Sequence, residues 1–105
     1  MGKMQRQKGA NAEREVAKIL NEHGYEAKRG QVFNHEPDIV CDLPIHIEVK
    51  RAETTKIHEW FKQSDEQNRG KIPTVVHRRS REPWMITMRF EDFLDLLKGD
   101  KDGTE

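Results

Sequence analysis

From Asn11 to His23 apolar side chains recur every three or four residues. Ala12, Val16, Ile19 and Leu20 form one stripe, and Gly24 follows where a helix would end. This predicts a first helix with one buried face. Tyr25 to Arg29 is short and extended in character, and Gly30 to Glu36 is a polar loop. Pro37 can open a strand but not occupy its middle, so Asp38-Ile39-Val40-Cys41 is expected to be a short strand with Asp38 at its mouth. Asp42-Leu43-Pro44 turns the chain. Ile45, Ile47 and Val49 then alternate with His46, Glu48 and Lys50, so a strand with two distinct faces is expected and Glu48 shares one of them with Lys50. Lys56 to Asn68 reads as a second helix, with Ile57, Trp60 and Phe61 as its apolar stripe and Gly70 beyond its end. Thr74-Val75-Val76 and Trp84-Met85-Ile86-Thr87-Met88 form two further strands, joined as a hairpin whose tip carries Arg78, Arg79 and Arg81. Phe90, Phe93, Leu94 and Leu97 mark a short last helix, expected mostly in the core with part at a dimer interface. The order of helix, three strands, helix, two strands, helix predicts an α/β domain, a central mixed sheet of about five strands flanked by helices.

Composition narrows the picture. The chain has 105 residues, 33% of them hydrophobic, which is room for one domain, expected over residues 1–99 with an acidic tail at 100–105. No apolar run has the length of a membrane span, and Met1 to Lys8 lacks the apolar stretch of a secretion signal. Arg6 stands where an N-myristoylation signal needs Ser or Thr. The expected location is the cytoplasm, or a host's cytoplasm if the gene is viral, with no membrane partner. A lone Cys41 excludes an internal disulfide and a cysteine zinc cluster, and the five histidines have no short zinc spacing. His46 reads as a hydrogen-bonded strand histidine. Formal net charge is zero, yet residues 1–89 carry 17 basic and 13 acidic side chains while residues 90–105 carry 2 and 6. The basic groups cluster at Lys3 to Lys8, Lys28-Arg29 and Arg78 to Arg81, the segregation expected of a phosphate-binding surface.

Chemistry concentrates at Asp38, Glu48 and Lys50. A two- to three-residue turn between consecutive strands brings the acid at the mouth of one near the acid inside the other. Two carboxylates about 6 Å apart repel by roughly 3 kcal/mol at an effective dielectric of ~20, and a divalent cation relieves that directly. Asp and Glu oxygens with water are the ligands that Mg²⁺ prefers. Phosphodiester cleavage uses such an ion to polarise the phosphoryl group, activate water and balance charge in the transition state. Lys50 is placed to hold the nucleophilic water or a non-bridging oxygen. An ordinary exposed Glu-Lys pair on a half-buried strand is the competing reading of the spacing alone.

Pro37-Asp38, followed after nine residues by Glu48-Val49-Lys50, matches the PD-(D/E)XK nuclease signature. Lys8-Gly9-Ala10-Asn11-Ala12-Glu13-Arg14-Glu15, followed by Lys28-Arg29, resembles the opening of archaeal-type Holliday junction resolvases and their phage relatives. The resemblance implies a restriction-endonuclease-like three-layer fold and a homodimer that uses Mg²⁺, or Mn²⁺ in its place, to nick a four-way DNA junction symmetrically. It carries catalytic roles onto Glu13, Asp38, Glu48 and Lys50, with Asp38 and Glu48 on the metal and Glu13 reaching it through water. Arg14 and Arg29 match positions that contact or orient phosphate, and Lys8, Arg78, Arg79 and Arg81 are further candidates for the DNA backbone. On a helical wheel Glu13 and Glu15 both flank the apolar stripe, on opposite sides; only the resemblance prefers Glu13, and Glu15 stays second to it. Gln63, on the helix after the Glu-Val-Lys strand, stands where many PD-(D/E)XK nucleases place a Gln near the active site. Flap, nicked or duplex DNA suits the same chemistry, and a non-catalytic DNA-binding module of the same fold is the rival of another class. Trp60 and Phe61 are expected in the core rather than stacked on bases.

Overall fold

A computed structural model describes the backbone of residues 2–31 and 36–104, and the side chains of residues 9–31 and 36–99. The elements are α1 (Gly2–Glu22), β1 (Ala27–Arg29), β2 (Ile39–Cys41), β3 (Ile45–Arg51), α2 (Ile57–Glu66), β4 (Ile72–Arg78), β5 (Met85–Thr87) and α3 (Phe90–Thr104). This is the expected order. The five strands form one sheet in chain order, β1-β2-β3-β4-β5. β3 and β4 run parallel, joined by the α2 crossover, and the other neighbours are antiparallel.

The three layers follow from the alternation along β3. Its odd positions Ile45, Ile47 and Val49 form the core with Ile39 and with Ala12, Val16 and Ala17 of α1. Its even positions face α2. There the Ser64 hydroxyl, wholly buried, donates to the His46 carbonyl at 2.9 Å and accepts the Thr74 N–H at 3.1 Å, pinning the helix to both central strands. Covered on both faces, β3 buries every residue from Ile45 to Val49, including His46 and Glu48, which are 2% and 3% exposed. Glu48 therefore does not belong to an exposed pair on a half-buried strand.

α1 starts at Gly2, ahead of the first stripe residue, because Lys, Met, Gln and Arg sustain a helix by propensity where no apolar pattern marks it. It ends as expected. Gly24, at φ 94°, takes the left-handed turn after the helix, and the Tyr25 N–H returns to the Leu20 carbonyl at 3.0 Å.

The last helix departs from expectation. It passes Gly99 and continues to Thr104, and its apolar residues are not core: Phe90, Phe93, Leu94 and Leu97 are all exposed, Phe90 by 73%. Leu96 alone among its apolar residues packs against the core cluster. A period of three to four marks an apolar face without saying what covers it. Trp60 and Phe61 are half-buried; Trp60 stacks at a tilt on His77, and Phe61 lies under the Arg89 guanidinium. Among the described residues no helix is long and apolar enough to cross a membrane.

Candidate active site

The site forms where β2 and β3 part. Ile39 pairs with Ile47, and continuing that antiparallel register would set Pro37 against Val49. Pro37 lies outside the strand, and the Val49 N–H is taken by a side chain instead: Asp38 Oδ2 accepts it at 2.8 Å. The Asp38 carbonyl is held in turn by the Gly30 N–H at 2.9 Å. A Cβ on residue 30 would stand 1.8 Å from the Pro37 carbonyl oxygen, so only glycine lets the end of β1 pass this closely over the Pro37-Asp38 turn. Gly30→Ala is expected to displace Asp38. The loss of the Val49 N–H from the protected set in hydrogen exchange checks it.

Two acids meet there. Burial, followed by the neighbouring Glu48 carboxylate, pushes Asp38 from 3.8 up to about 7, with a smaller push from Glu13; the Val49 N–H and Lys50 pull the other way. Glu48 Oε2 faces His46 Nε2 at 3.3 Å. Lys50 Nζ, at the open end of β3, donates to Gln63 Oε1 of α2 at 3.0 Å. The Gln63 side chain therefore does reach the cluster. On α1, Glu13 acts on Asp38 and accepts from Arg29 Nε at 2.9 Å.

Whether this donor set fits a divalent cation is decided by the free oxygens and the charge. Among the described residues no three His, Cys, Asp or Glu side chains close into a metal cage. Mg²⁺ does not require one; it binds through one or two carboxylates and keeps water or phosphate oxygens in its other positions. The Val49 and His46 contacts leave Asp38 Oδ1 and Glu48 Oε1, one oxygen from each acid, without a hydrogen-bond partner among the described residues, and the upward push on Asp38 marks the negative charge there as undercompensated. The residues fit such an ion.

Over residues 4–103 the sequence matches the family described as "Phage putative PDDEXK endonuclease". The chain belongs to this family of phage PDDEXK endonucleases. The structure is similar to that of Archaeoglobus fulgidus Hjc, a Holliday junction resolvase from an archaeal hyperthermophile, with a TM-score of 0.53 and 20% identity over 72% of each chain. That likeness establishes the restriction-endonuclease-like fold. No curated protein matches the sequence.

In this PDDEXK endonuclease the two glutamates of α1 go separate ways. Glu13 faces Asp38. Glu15 lies across the helix, where its Oε1 accepts from Arg78 Nη2 at 3.3 Å and from Trp84 Nε1 at 3.2 Å, with Arg51 Nη1 3.9 Å from Oε2. The Arg78 guanidinium also lies 5.2 Å from the Trp84 ring centroid. Arg78 is thus built into the fold rather than held out as a free cation at the hairpin tip. Arg79 and Arg81 are exposed there, beside Ser80, whose N–H and hydroxyl both bond Glu53 Oε2. Arg14 is exposed and bonds Asn11, and Arg29 is committed to Glu13. The Lys8 side chain lies outside the described residues. Sequence reasoning missed Arg51 and Trp84. Arg51 stands beside Arg78 only because β3 and β4 are parallel in that register, which no local pattern shows.

Proposed function

We propose that this PDDEXK endonuclease cleaves branched DNA, four-way junctions above all, with a divalent cation held by Asp38 and Glu48. The observation that carries the reading is a pair of mutually repelling carboxylates, Glu48 buried and Asp38 half-buried, each with one oxygen free, next to a lysine at the strand's open end. Two neighbouring acids drawn this far out of water are a liability that the fold alone has no use for. Mg²⁺, or Mn²⁺ in its place, supplies Lewis acidity toward the phosphoryl group and offsets the charge that develops during displacement. Lys50, steadied by Gln63, orients the attacking water or a non-bridging oxygen. Glu13 completes the acidic rim through water, and Arg29 fixes its carboxylate. Arg14, Arg79 and Arg81, with Lys8, track the backbone phosphates, so binding is salt-sensitive with little base readout.

The junction as substrate rests on the likeness to a Holliday junction resolvase and on the twofold symmetry of a junction, which needs two cuts. A labelled four-way junction is incubated beside matched duplex over tenfold steps of Mg²⁺, with an EDTA control. Paired symmetric nicks in the junction alone are expected. Cutting of duplex alone moves the substrate to linear DNA, and junction binding without metal-dependent product defeats the catalytic reading.

A homodimer completes this reading. Ile86 of the edge strand β5 and Phe90, Phe93 and Leu97 of α3 are exposed around an apolar groove of about 660 Å³, Met85 and Leu94 are exposed on the same two elements, and no residue of the acidic cluster lines the groove. A contiguous apolar surface of this kind is typical of an interface. Phe90→Asp with Leu97→Asp changes two exposed positions and is expected to leave the melting of the monomer within about 1 kcal/mol. The same pair weakens self-association at least tenfold by light scattering and turns paired junction nicks into single ones.

A further inference from the structure

The acidic cluster contains one buried polar side chain that the proposed chemistry does not use. His46, 2% exposed, lies on the same face of β3 as Glu48, two residues before it, with Nε2 3.3 Å from Glu48 Oε2. Its backbone is fixed independently, because its carbonyl accepts the Ser64 hydroxyl of α2 at 2.9 Å. The backbone is thus anchored by the helix while the ring is aimed at one carboxylate oxygen.

We infer that His46 is a positioning residue: its Nε2–H donates to Glu48 Oε2 and turns Oε1 toward the oxygen of Asp38 that the Val49 N–H leaves free. This deepens the metal-site reading and rests on it. The two contacts do the same work on the two acids. The Val49 N–H occupies one oxygen of Asp38 and His46 one oxygen of Glu48, so each acid presents a single oxygen to a small ion that demands near-octahedral geometry. A glutamate has one more rotatable bond than an aspartate and loses more freedom when held, so Glu48 gains most from an external donor. Partners of this kind, which touch the ligand and not the ion, typically change metal affinity by 10- to 100-fold.

The test is Mn²⁺ binding to the DNA-free protein, followed by the electron paramagnetic resonance of the unbound ion, on wild type, His46→Phe, His46→Gln and Glu48→Ala. Near-UV circular dichroism checks that each is folded. Phe fills the volume without a donor and is expected to weaken Mn²⁺ 10- to 100-fold; Gln, whose amide nitrogen can take the place of Nε2, is expected to recover affinity to within about threefold of wild type. A Phe variant that binds like wild type overturns the inference, and so does a Gln variant as weak as Phe. Glu48→Ala separates the two levels: if it binds Mn²⁺ like wild type, the metal-site reading itself fails. A measurement on wild type alone does not depend on any variant folding. Long-range ¹H–¹⁵N correlation of the metal-free protein is expected to find a proton on His46 Nε2, and a ring protonated on Nδ1 alone, with nothing to donate, overturns the assignment.

Discussion

Asp38→Asn is expected to melt higher than wild type in EDTA at pH 8 and to cut DNA at least 10³-fold more slowly. Asn keeps an acceptor for the Val49 N–H and the size of the side chain, and it removes the charge that burial and Glu48 oppose. In the folded protein Asp38 titrates at about 7, above its ordinary 3.8. The fold thus prefers the protonated acid. The stability this gives is present in full below pH 4 and is lost as pH rises through 7. A shift of this size corresponds to a few kcal/mol at about 1.4 kcal/mol per unit. The difference in melting between wild type and Asp38→Asn should therefore be near zero at pH 4 and grow toward pH 8. Mg²⁺ reverses it, because an ion bound only by the native carboxylates stabilises wild type alone. A difference that is flat with pH and indifferent to Mg²⁺ would mean that neither burial nor Glu48 raises the Asp38 carboxyl. Glu48→Ala should match the loss of cleavage while retaining DNA binding.

The two glutamates of α1 should separate cleanly. Glu15→Ala leaves Arg51 and Arg78 side by side without their shared acid and removes the acceptor for Trp84 Nε1. Arg51 Nε and Arg78 Nε are already buried without a protein partner, so this corner has little polar compensation to spare. The expected cost is about 1–2 kcal/mol, since the carboxylate is partly exposed and solvent screens the pair. Cleavage at a temperature where the variant is folded should stay within a few fold of wild type. Glu13→Ala has the opposite profile. It frees Arg29, which is 40% exposed and can turn to water, so melting changes by less than about 0.5 kcal/mol. Cleavage falls tenfold or more. Chemical denaturation and junction cleavage on the same preparations check both, and equal behaviour of the two variants defeats the assignment.

What could be read in advance followed the range of each signal. The period of two along Ile45 to Lys50 is local, and it placed His46, Glu48 and Lys50 on one face correctly. Pro37 and the Asp42-Leu43-Pro44 turn fixed where β2 begins and how soon β3 follows, which brings Asp38 to Glu48. Glu13 and Glu15 could not be told apart on a helical wheel, because both flank the buried stripe and the difference lies in what stands opposite: Arg29 of β1 and Asp38 in one case, the ends of β3 and β4 in the other. The Arg78 to Arg81 segment reads as a basic tip, yet Arg78 is withdrawn by Glu15 and Trp84, residues far from it in sequence. The apolar side of α3 is legible as apolar, but the pattern assigns most of it to the core and only part to an interface, whereas Phe90, Phe93, Leu94 and Leu97 are all exposed. Periodicity reports that a face avoids water and is silent on whether its cover comes from the same chain.

The sheet's order, β1-β2-β3-β4-β5, repeats the order of the chain. Every strand therefore finds its partner among its nearest neighbours in sequence, and no loop has to close over a strand that forms later. Short-range closure of this kind lowers the entropic barrier to folding. The turn that opens β2 and the hairpin to β3 carry both acids and the lysine, so the reactive cluster should be among the first parts of the molecule to take shape. Stopped-flow refolding with pulsed hydrogen exchange would find the Val49 amide protected early, ahead of those in β5. Mutations that slow the β2–β3 hairpin would then lower the yield of folded chain and its chemistry together, while lengthening the β4–β5 tip would leave the yield of folded chain intact.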